Sequence, residues 1–133
     1  MFDGRLDNRA EIARGVAGPD FRSGEICDAD LAFHSWLRGG DAAVRKWSGE
    51  FSFICWDAHE ETLVACRDHI GLRALCYHET AHRVVVASAP RAVLGLPDVE
   101  RAIDEQKIAD QLVQLFHDGE RTFYKDIKRV LPG

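Results

Sequence analysis

Apolar and polar residues follow two different rhythms along this chain, and the change of rhythm predicts the order of its elements. Strand-like stretches lie at 51–56, 62–66, 75–78 and 83–87. The first of these is a nearly continuous apolar run, which is typical of a strand covered on both faces. Stretches with helical spacing begin at Asn8, Asp28, Asp41 and Asp104. Helices, then two antiparallel hairpins, then helices predict an α+β fold.

Residues that cap helices stand at the predicted helix starts. Asn8 is followed three residues later by Glu11, which is the pattern of a capping box. Asp28 and Asp104 are each expected to cap the helix that they open. The first helix is expected to end before a loop that runs to residue 25, and glycines at 39 and 40 to break the second. The last helix, expected to reach about residue 116, has an apolar side predicted to be buried, formed by Ile108, Leu112 and Leu115.

Composition narrows the class of protein. The 133 residues are enough for one domain with one core, with 46% hydrophobic and 29% charged residues. A net charge of −5 argues against a nucleic-acid groove. No apolar run approaches the roughly 20 residues that span a bilayer, and no signal peptide is apparent. The four cysteines show no zinc-binding spacing and the histidines are scattered, so we expect no metal site and reduced thiols in a cytoplasmic protein.

The stretch R-D-H-I-G-L-R-A-L-C-Y at 67–77 connects two predicted strands and concentrates charge at a turn. Gly71 can adopt a positive φ without steric cost, which suits a tight connection. Either Arg67 or Arg73 can pair with Asp68 or hold carbonyl groups of the turn. These features alone predict a braced hairpin corner.

The same stretch resembles the R-D-x-x-G-x-(R/K)-P-L-Y-Y segment in the class II glutamine amidotransferase domain of the asparagine synthetase family. Ala74 stands where that family usually has proline, and Cys76 replaces the first aromatic residue. Further segments resemble motifs of the family in the same order. Residues 2–8 resemble the family motif F-N-G-E-I-Y-N, residues 27–30 resemble S-D-x-E, and residues 37–57 resemble W-G followed by L-x-G-x-F-A-F-x-x-W-D. Residues 87–88 resemble A-S-E, and residues 122–133 resemble T-x-F followed by I-x-x-L-P-P-G.

The resemblance implies an Ntn-type αββα sandwich of two antiparallel sheets flanked by helices, spanning residues 1–133. In that family an N-terminal cysteine attacks the amide of glutamine, its own α-amine acts as base, and ammonia passes to an ATP-dependent synthetase domain. This chemistry needs a thiol nucleophile and donors for the tetrahedral oxyanion. The resemblance implies that ATP and Mg belong to the synthetase domain, which this sequence lacks, and that the chain itself holds no cofactor.

Departures from the family decide the functional prediction. The nucleophile and the strands that follow it should precede Phe2, where the sequence has only Met1, and none of the four cysteines matches by position. Asp3 stands at the oxyanion asparagine, and a carboxylate there offers acceptors where a donor is needed. Gly4 matches the backbone N–H of the oxyanion hole. Asp28 matches the aspartate that holds the α-ammonium of the substrate.

Several alternatives stay open from the sequence. Asp28 can act as a helix cap, Asp3 as a turn residue, and Arg67, Asp68 and Gly71 as a structural motif. The chain is predicted to be either the glutaminase-like domain of an amide ligase, inactive alone, or a degenerate fold that binds or braces a partner synthetase. Expected partners are a synthetase domain or partner chain, and glutamine is a candidate ligand. A fold without its first strands would expose an edge, so we also expect a homo-oligomer.

Overall fold

The computed structural model describes residues 1–16, 26–115 and 118–133. They form two compact units, one of residues 1–73 with 132–133 and the other of residues 74–131. The elements along the chain are β1 (Phe2–Leu6), α1 (Arg9–Val16), α2 (Asp28–Val44), β2 (Gly49–Asp57), β3 (Thr62–Arg67), β4 (Cys76–Thr80), β5 (Arg83–Ala87), α3 (Pro90–Val93), α4 (Glu105–Leu112) and β6 (Lys128–Arg129).

The first unit contains an antiparallel sheet in the order β1-β2-β3, with α1 and α2 against one face. Alternate residues of β2 point into its core, so that Phe51 and Phe53 are almost fully buried beside Leu31 of α2. Trp47 meets both phenylalanine rings edge-on, with centroids 5.4 and 5.3 Å away. The apolar run therefore forms the predicted strand, and its aromatic side chains fill the core.

The helical region from 28 to 47 was predicted as two helices separated by glycine. The structure has α2 running from Asp28 to Val44, and Gly40 interrupts the helical geometry with φ 52° and ψ −139°. This geometry confirms the predicted break in the helix. Glycine can adopt a left-handed φ at little steric cost. The second piece ends earlier than expected, and Trp47 lies beyond it as a core residue.

The capping box predicted at the start of α1 is wrong. The amide nitrogen of Asn8 donates to Glu11 Oε2 at 3.2 Å and to the carbonyl of Lys46 at 2.9 Å. Its amide oxygen accepts from the backbone N–H of Ser48 at 2.9 Å. Asn8 therefore fastens the start of α1 to the segment that leads into β2. The loop expected up to residue 25 lies mostly outside the described residues.

The second unit contains an antiparallel sheet in the order β5-β4-β6, whose β4–β5 hairpin was predicted. Its buried core consists of Cys76, Val93, Leu94, Val99 and Ile127. Since β3 pairs with β2 and β4 pairs with β5 and β6, the corner at 67–75 joins two sheets. The prediction of a hairpin corner is therefore wrong.

Helix α4 begins as predicted, because Asp104 Oδ1 accepts from the backbone N–H of Lys107 at 2.9 Å. The expected buried side of α4 is wrong: Ile108 and Leu112 are 39% and 79% exposed, whereas Lys107 is only 6% exposed. The Lys107 ammonium donates to the carbonyl of Asp118 at 2.7 Å, so its stem is buried with the charge satisfied. The expected end near residue 116 lies outside the described residues.

Two antiparallel three-stranded sheets with helices give an α+β fold, as predicted. Among residues 1–16, 26–115 and 118–133, no helix has the length and apolar character needed to cross a membrane.

Candidate functional site

Strand β1 carries the two positions that resemble the oxyanion hole. Asp3 faces Ser52 and Gly4 faces Phe51 in the antiparallel register with β2. Gly4 has φ +136°, and a Cβ built on it would lie 2.0 Å from the carbonyl oxygen of Glu50. Only glycine fits at position 4, because the two backbones approach too closely for any side chain.

The carboxylate of Asp3 is paired with a guanidinium. Asp3 Oδ1 lies 3.8 Å from Arg73 Nη1, and Arg73 Nη2 donates to Glu50 Oε1 at 3.2 Å. The Asp3 side chain is 55% exposed. Arg73 offsets part of the negative charge at this position, but the carboxylate still has no N–H to donate.

Asp28 is the first residue of α2, and the helix N-cap is Cys27, which makes no side-chain capping bond. The prediction that Asp28 caps the helix is therefore wrong. Its Oδ2 accepts from the backbone N–H of Leu6 at 2.9 Å, and its Oδ1 forms an ion pair with Arg9. Asp28 thus fastens α2 to the end of β1, two residues beyond Gly4. Its role toward a substrate ammonium stays a prediction.

Asp68 is a fully buried carboxylate that organises the corner after β3. It accepts backbone N–H groups of Phe51 at 3.3 Å, Ile70 at 3.2 Å, Leu72 at 3.0 Å and Arg73 at 3.1 Å. Burial acts to raise the pKa of Asp68, but these four bonds outweigh it and hold that pKa below its usual value.

Arg67 holds carbonyl groups of the same corner. Its Nε donates to the carbonyl of Arg73 at 2.5 Å, and its Nη2 donates to the carbonyl of Gly71. Gly71 has φ +69° and donates its N–H to the carbonyl of Asp68 at 3.0 Å. Of the alternatives left open by the sequence, Arg67 therefore holds the turn carbonyls, while Arg73 pairs with carboxylates outside the turn.

The four thiols lie in different surroundings. Burial raises the pKa of the Cys55 and Cys76 thiols. Burial, reinforced by the nearby Asp41 carboxylate, raises the pKa of Cys66 to about 11. Cys27 is exposed, and its Sγ donates to Asp30 Oδ2 at 3.2 Å. Within the described part of the chain, no cluster of three or more His, Cys, Asp or Glu residues is arranged to hold a metal ion.

Two cavities open on the first unit, one of about 360 Å³ between α1 and α2 and one of about 600 Å³ beside β3. Trp47 lines the first, and Cys66 and His69 line the second. Neither cavity is lined by Asp3, Gly4 or Asp28. Of the residues singled out by resemblance, Asp3, Gly4 and Asp28 therefore lie outside both cavities, whereas Arg67 lines the second.

Comparison with known proteins decides the family. A family profile described as the glutamine amidotransferase domain matches residues 1–133. The chain belongs to this family. This family match confirms the resemblance drawn from the ordered sequence segments.

The relatives of this amidotransferase domain are longer proteins. Amidase chyE of Penicillium rubens is 27% identical over 123 residues, which cover 92% of this chain and 18% of the relative. Asparagine synthetase [glutamine-hydrolyzing] 3 of Bacillus subtilis is 23% identical over 138 residues, 100% of this chain and 22% of the relative. Asparagine synthetase [glutamine-hydrolyzing] of Sandersonia aurantiaca is 32% identical over 73 residues, 55% of this chain and 14% of the relative. The chain thus spans about a fifth of these relatives or less.

Sequence reasoning missed Glu50 and Ser52, which neighbour Asp3 in the folded sheet. A signal was present, because polar residues at 50 and 52 alternate with Phe51 and Phe53 in an otherwise apolar run. This alternation indicates a strand with one polar face.

Proposed function

We propose that this chain is the glutaminase-like domain of an asparagine synthetase-type, ATP-dependent amide ligase. We further propose that the 133-residue chain by itself does not hydrolyse glutamine. The match to the amidotransferase family over residues 1–133 supports the first statement. The observation that carries the second is the Asp3 carboxylate, paired with Arg73, at the position that resembles an oxyanion donor.

Amide hydrolysis of this type needs an activated thiol and hydrogen-bond donors for the oxyanion. Reactive thiols lie beside cationic groups that stabilise the thiolate. The exposed Cys27 instead donates a hydrogen bond to the carboxylate of Asp30. The pKa values of Cys55, Cys66 and Cys76 are raised, which disfavours their thiolates at neutral pH. Loss of one oxyanion donor alone typically costs about 10²–10³ in rate.

The longer relatives support a synthetase domain as the partner of this domain, on the same chain or on another. In this proposal ammonia is consumed by that partner, and ATP and Mg are bound there. The amidotransferase domain contributes positioning and contact surface. Glutamine is the candidate ligand, and the cytoplasm is the proposed location.

A second candidate function is a binding or bracing module for a partner amide synthetase. Two observations favour it. Asp3 and Arg5 both depart in charge from the family motif. The apolar side of α4 is exposed, with Leu112 79% accessible, as in a surface that meets another protein. The expected homo-oligomer belongs here as well, and sedimentation at micromolar concentration tests it: a monomer would contradict it.

The decisive assay measures ammonia released from L-glutamine by the purified chain. We expect no release above a protein-free blank, and we expect Asp3→Asn alone not to create activity because no activated thiol is present. Ammonia release that disappears after thiol alkylation would overturn the proposal of inactivity. To separate the two functions, the DNA upstream of Met1 is sequenced. A longer reading frame with cysteine after its initiator supports the glutaminase, and a frame without it supports the bracing module.

A further inference from the structure

Strand β3 forms one edge of the first sheet, whose strand order is β1-β2-β3. In an antiparallel pair, successive residues turn their backbone N–H and C=O groups alternately toward the partner strand and away from it. The N–H of Asp68 donates to the carbonyl of Phe51 at 2.9 Å, so the even-numbered residues of β3 bond to β2. Leu63 and Ala65 therefore present their backbone groups to the outer side of the edge.

These outward groups have no hydrogen-bond partner within the described part of the chain. Native sheets commonly protect such an edge with proline, a charged side chain or a bulge. Between Thr62 and Cys66 the edge has the sequence T-L-V-A-C, which contains neither proline nor charge, and its pairing with β2 is continuous. The edge is therefore open to an added strand.

The cavity of about 600 Å³ lies beside this edge. Val64 and Cys66 line it, together with the core residue Phe51 of β2. Asp41 and Arg45, which line it from the end of α2, have opposite charges and offset each other. An added strand would point every second side chain into this cavity, because alternate residues of a strand share a face. Main-chain bonds and such a pocket are the two parts of a site for an extended segment.

The charges along β3 have opposite signs at its two ends. The exposed carboxylates of Glu60 and Glu61 come directly before the strand. Arg67 is its last residue, and His69 follows close behind. The Asp68 carboxylate between these two is buried and accepts backbone N–H groups. The exposed charge is therefore acidic at the start of β3 and basic at its end.

We propose that β3 of a second copy of this chain pairs antiparallel with β3, across a two-fold axis at Val64. In this register Leu63 faces Ala65 of the second copy, and all of their outward N–H and C=O groups are paired. Val64 faces its own counterpart across the axis, and Glu61 lies opposite Arg67 of the second copy. The two sheets then form one continuous sheet, and the edge is closed by an interface that is the same on both copies.

A register with its axis at Ala65 fits less well. It would set Leu63 against Arg67, and it would bring the pairing to Asp68, whose carbonyl already accepts the Gly133 N–H at 3.4 Å. The proposed axis keeps apolar residues opposite apolar residues and the acidic end opposite the basic end. A strand with one acidic and one basic end is complementary to an antiparallel copy of itself, which favours a second copy over an unrelated segment.

This pairing rests on the proposed function in one respect only, because it gives a surface and a register to the homo-oligomer expected there. It uses no part of the amidotransferase chemistry. Each copy has a net charge of −5, which opposes association. Since the interface is small as well, we expect a dissociation constant in the micromolar range.

Sedimentation and hydrogen exchange of the purified chain test the pairing. We expect a monomer–dimer equilibrium between low and high micromolar concentration. Over that range, exchange of the outward N–H groups of Leu63 and Ala65 should slow by about tenfold. The N–H groups of Val64 and Cys66, which bond to β2 in each copy, are the internal control and should change much less. A chain that stays monomeric throughout this range overturns the inference.

Variants place the interface on β3. Ala65→Pro removes an outward N–H that β2 does not use, so we expect it to fold and to raise the dissociation constant about 10- to 100-fold. Leu63→Lys puts a charge on the edge at a side chain that is 37% exposed, and should act in the same direction. Val84→Lys is the matched control, since Val84 is 47% exposed on β5, an edge strand of the second sheet.

The expected dissociation constant of Val84→Lys is that of the wild-type chain. If Ala65→Pro does not fold, Leu63→Lys decides. A dimer whose affinity is unchanged by Leu63→Lys overturns the assignment to β3, although the expected homo-oligomer itself would stand.

Disulfide trapping tests the register. The background removes the other thiols near the edge or the surface: Cys27→Ser, Cys55→Ala and Cys66→Ala. Val64→Cys in this background should form a disulfide-linked dimer on oxidation, because a residue on the axis faces itself at a Cα separation that a disulfide can span. Ala65→Cys is the control, since its counterpart would be a diagonal neighbour beyond that reach. Trapping of Ala65→Cys in preference to Val64→Cys overturns the register.

A different occupant of the edge would be visible in the same measurements. If the chain stays monomeric and the Leu63 and Ala65 amides become protected only when a synthetase domain is added, the edge binds another protein and the inference is wrong. The ammonia assay is separate. Ammonia release refutes the proposed inactivity and leaves the β3 pairing standing, whereas a monomer refutes the pairing and leaves the inactivity standing.

Discussion

Asp68→Ala tests whether one buried carboxylate holds the corner between the two sheets. Four backbone N–H groups converge on Asp68, at 3.0–3.3 Å. Alanine leaves all four without that acceptor. The corner also positions Arg73, so the substitution disturbs both the fold and the ion pairs of Arg73 with Asp3 and Glu50.

The loss in the free energy of unfolding depends on how exposed the four N–H groups are to water. At the usual 1.5–3 kcal/mol for a bond to a charged group, simple addition gives about 6–12 kcal/mol, which is comparable to the entire stability of a domain. Water can replace the carboxylate for Ile70 and Leu72, which are 74% and 60% exposed, but not for Phe51, which is 1% exposed. The unpaired N–H of Phe51 carries a full penalty of about 1–3 kcal/mol, and the other three N–H groups carry smaller penalties. The predicted loss in the free energy of unfolding is therefore about 3–5 kcal/mol.

Urea unfolding followed by tryptophan fluorescence measures this loss. The matched control is Asp57→Ala, since Asp57 Oδ1 accepts two backbone N–H groups at 2.9 and 3.2 Å in the exposed β2–β3 turn. We expect that control to cost about 0.5 kcal/mol. A loss at Asp68 no greater than at Asp57 would refute the reasoning.

The pH dependence supplies a second test of the same carboxylate. The folded pKa of Asp68 lies below its ordinary value of 3.8, so its ionised form stabilises the fold at pH values above 3.8. That contribution is lost as the pH falls through the lowered pKa. The stability difference between the wild-type chain and Asp68→Ala should therefore be constant above about pH 5 and shrink below about pH 4. A difference that grows on acidification contradicts this account.

Three further predictions concern single positions. Gly4→Ala should cost about 3 kcal/mol or more or prevent folding, because the added Cβ would overlap a facing carbonyl. Gly15→Ala is the control: a Cβ at Gly15 has nothing within 4 Å, so the substitution should be neutral or stabilising by up to about 1 kcal/mol. Melting curves of the two variants test this difference. Asp28→Ala and Asp28→Ser should melt at the same lowered temperature, which corresponds to a loss of about 1–3 kcal/mol in the free energy of unfolding. A higher melting temperature for Asp28→Ser than for Asp28→Ala would instead support a capping role for Asp28. Alkylation at pH 8 should label Cys27 well before Cys66, whose pKa of about 11 keeps it protonated; equal rates would contradict that burial.

Local pattern was enough to find most elements of this chain. The apolar run at 51–56 becomes β2, Asp104 caps α4, and Gly40 interrupts α2. Each of these outcomes depends on residues within a few positions along the chain, through side-chain alternation, a cap or a backbone angle. The family was also recognisable, because its motifs are short segments in a fixed order.

Tertiary structure decided what those local patterns leave open. Asp28 has the sequence features of a helix cap, yet a strand 22 residues away takes one of its oxygens. Ile108 has helical spacing, but Lys107 is the buried residue of α4, because the carbonyl of Asp118 satisfies its charge. No local rule predicts such a partner, since it depends on which segments pack together.

The polar face of β2 shows the same division. The alternation of Glu50 and Ser52 with two phenylalanines indicates a polar face on β2, and this much is legible in the sequence. That Asp3 faces Ser52 depends on the register of two strands separated by more than forty residues. That Arg73 reaches both carboxylates depends on the corner held by Asp68. Sequence determines which side chains can share a face, and the packing that fixes register and turns determines which of them meet.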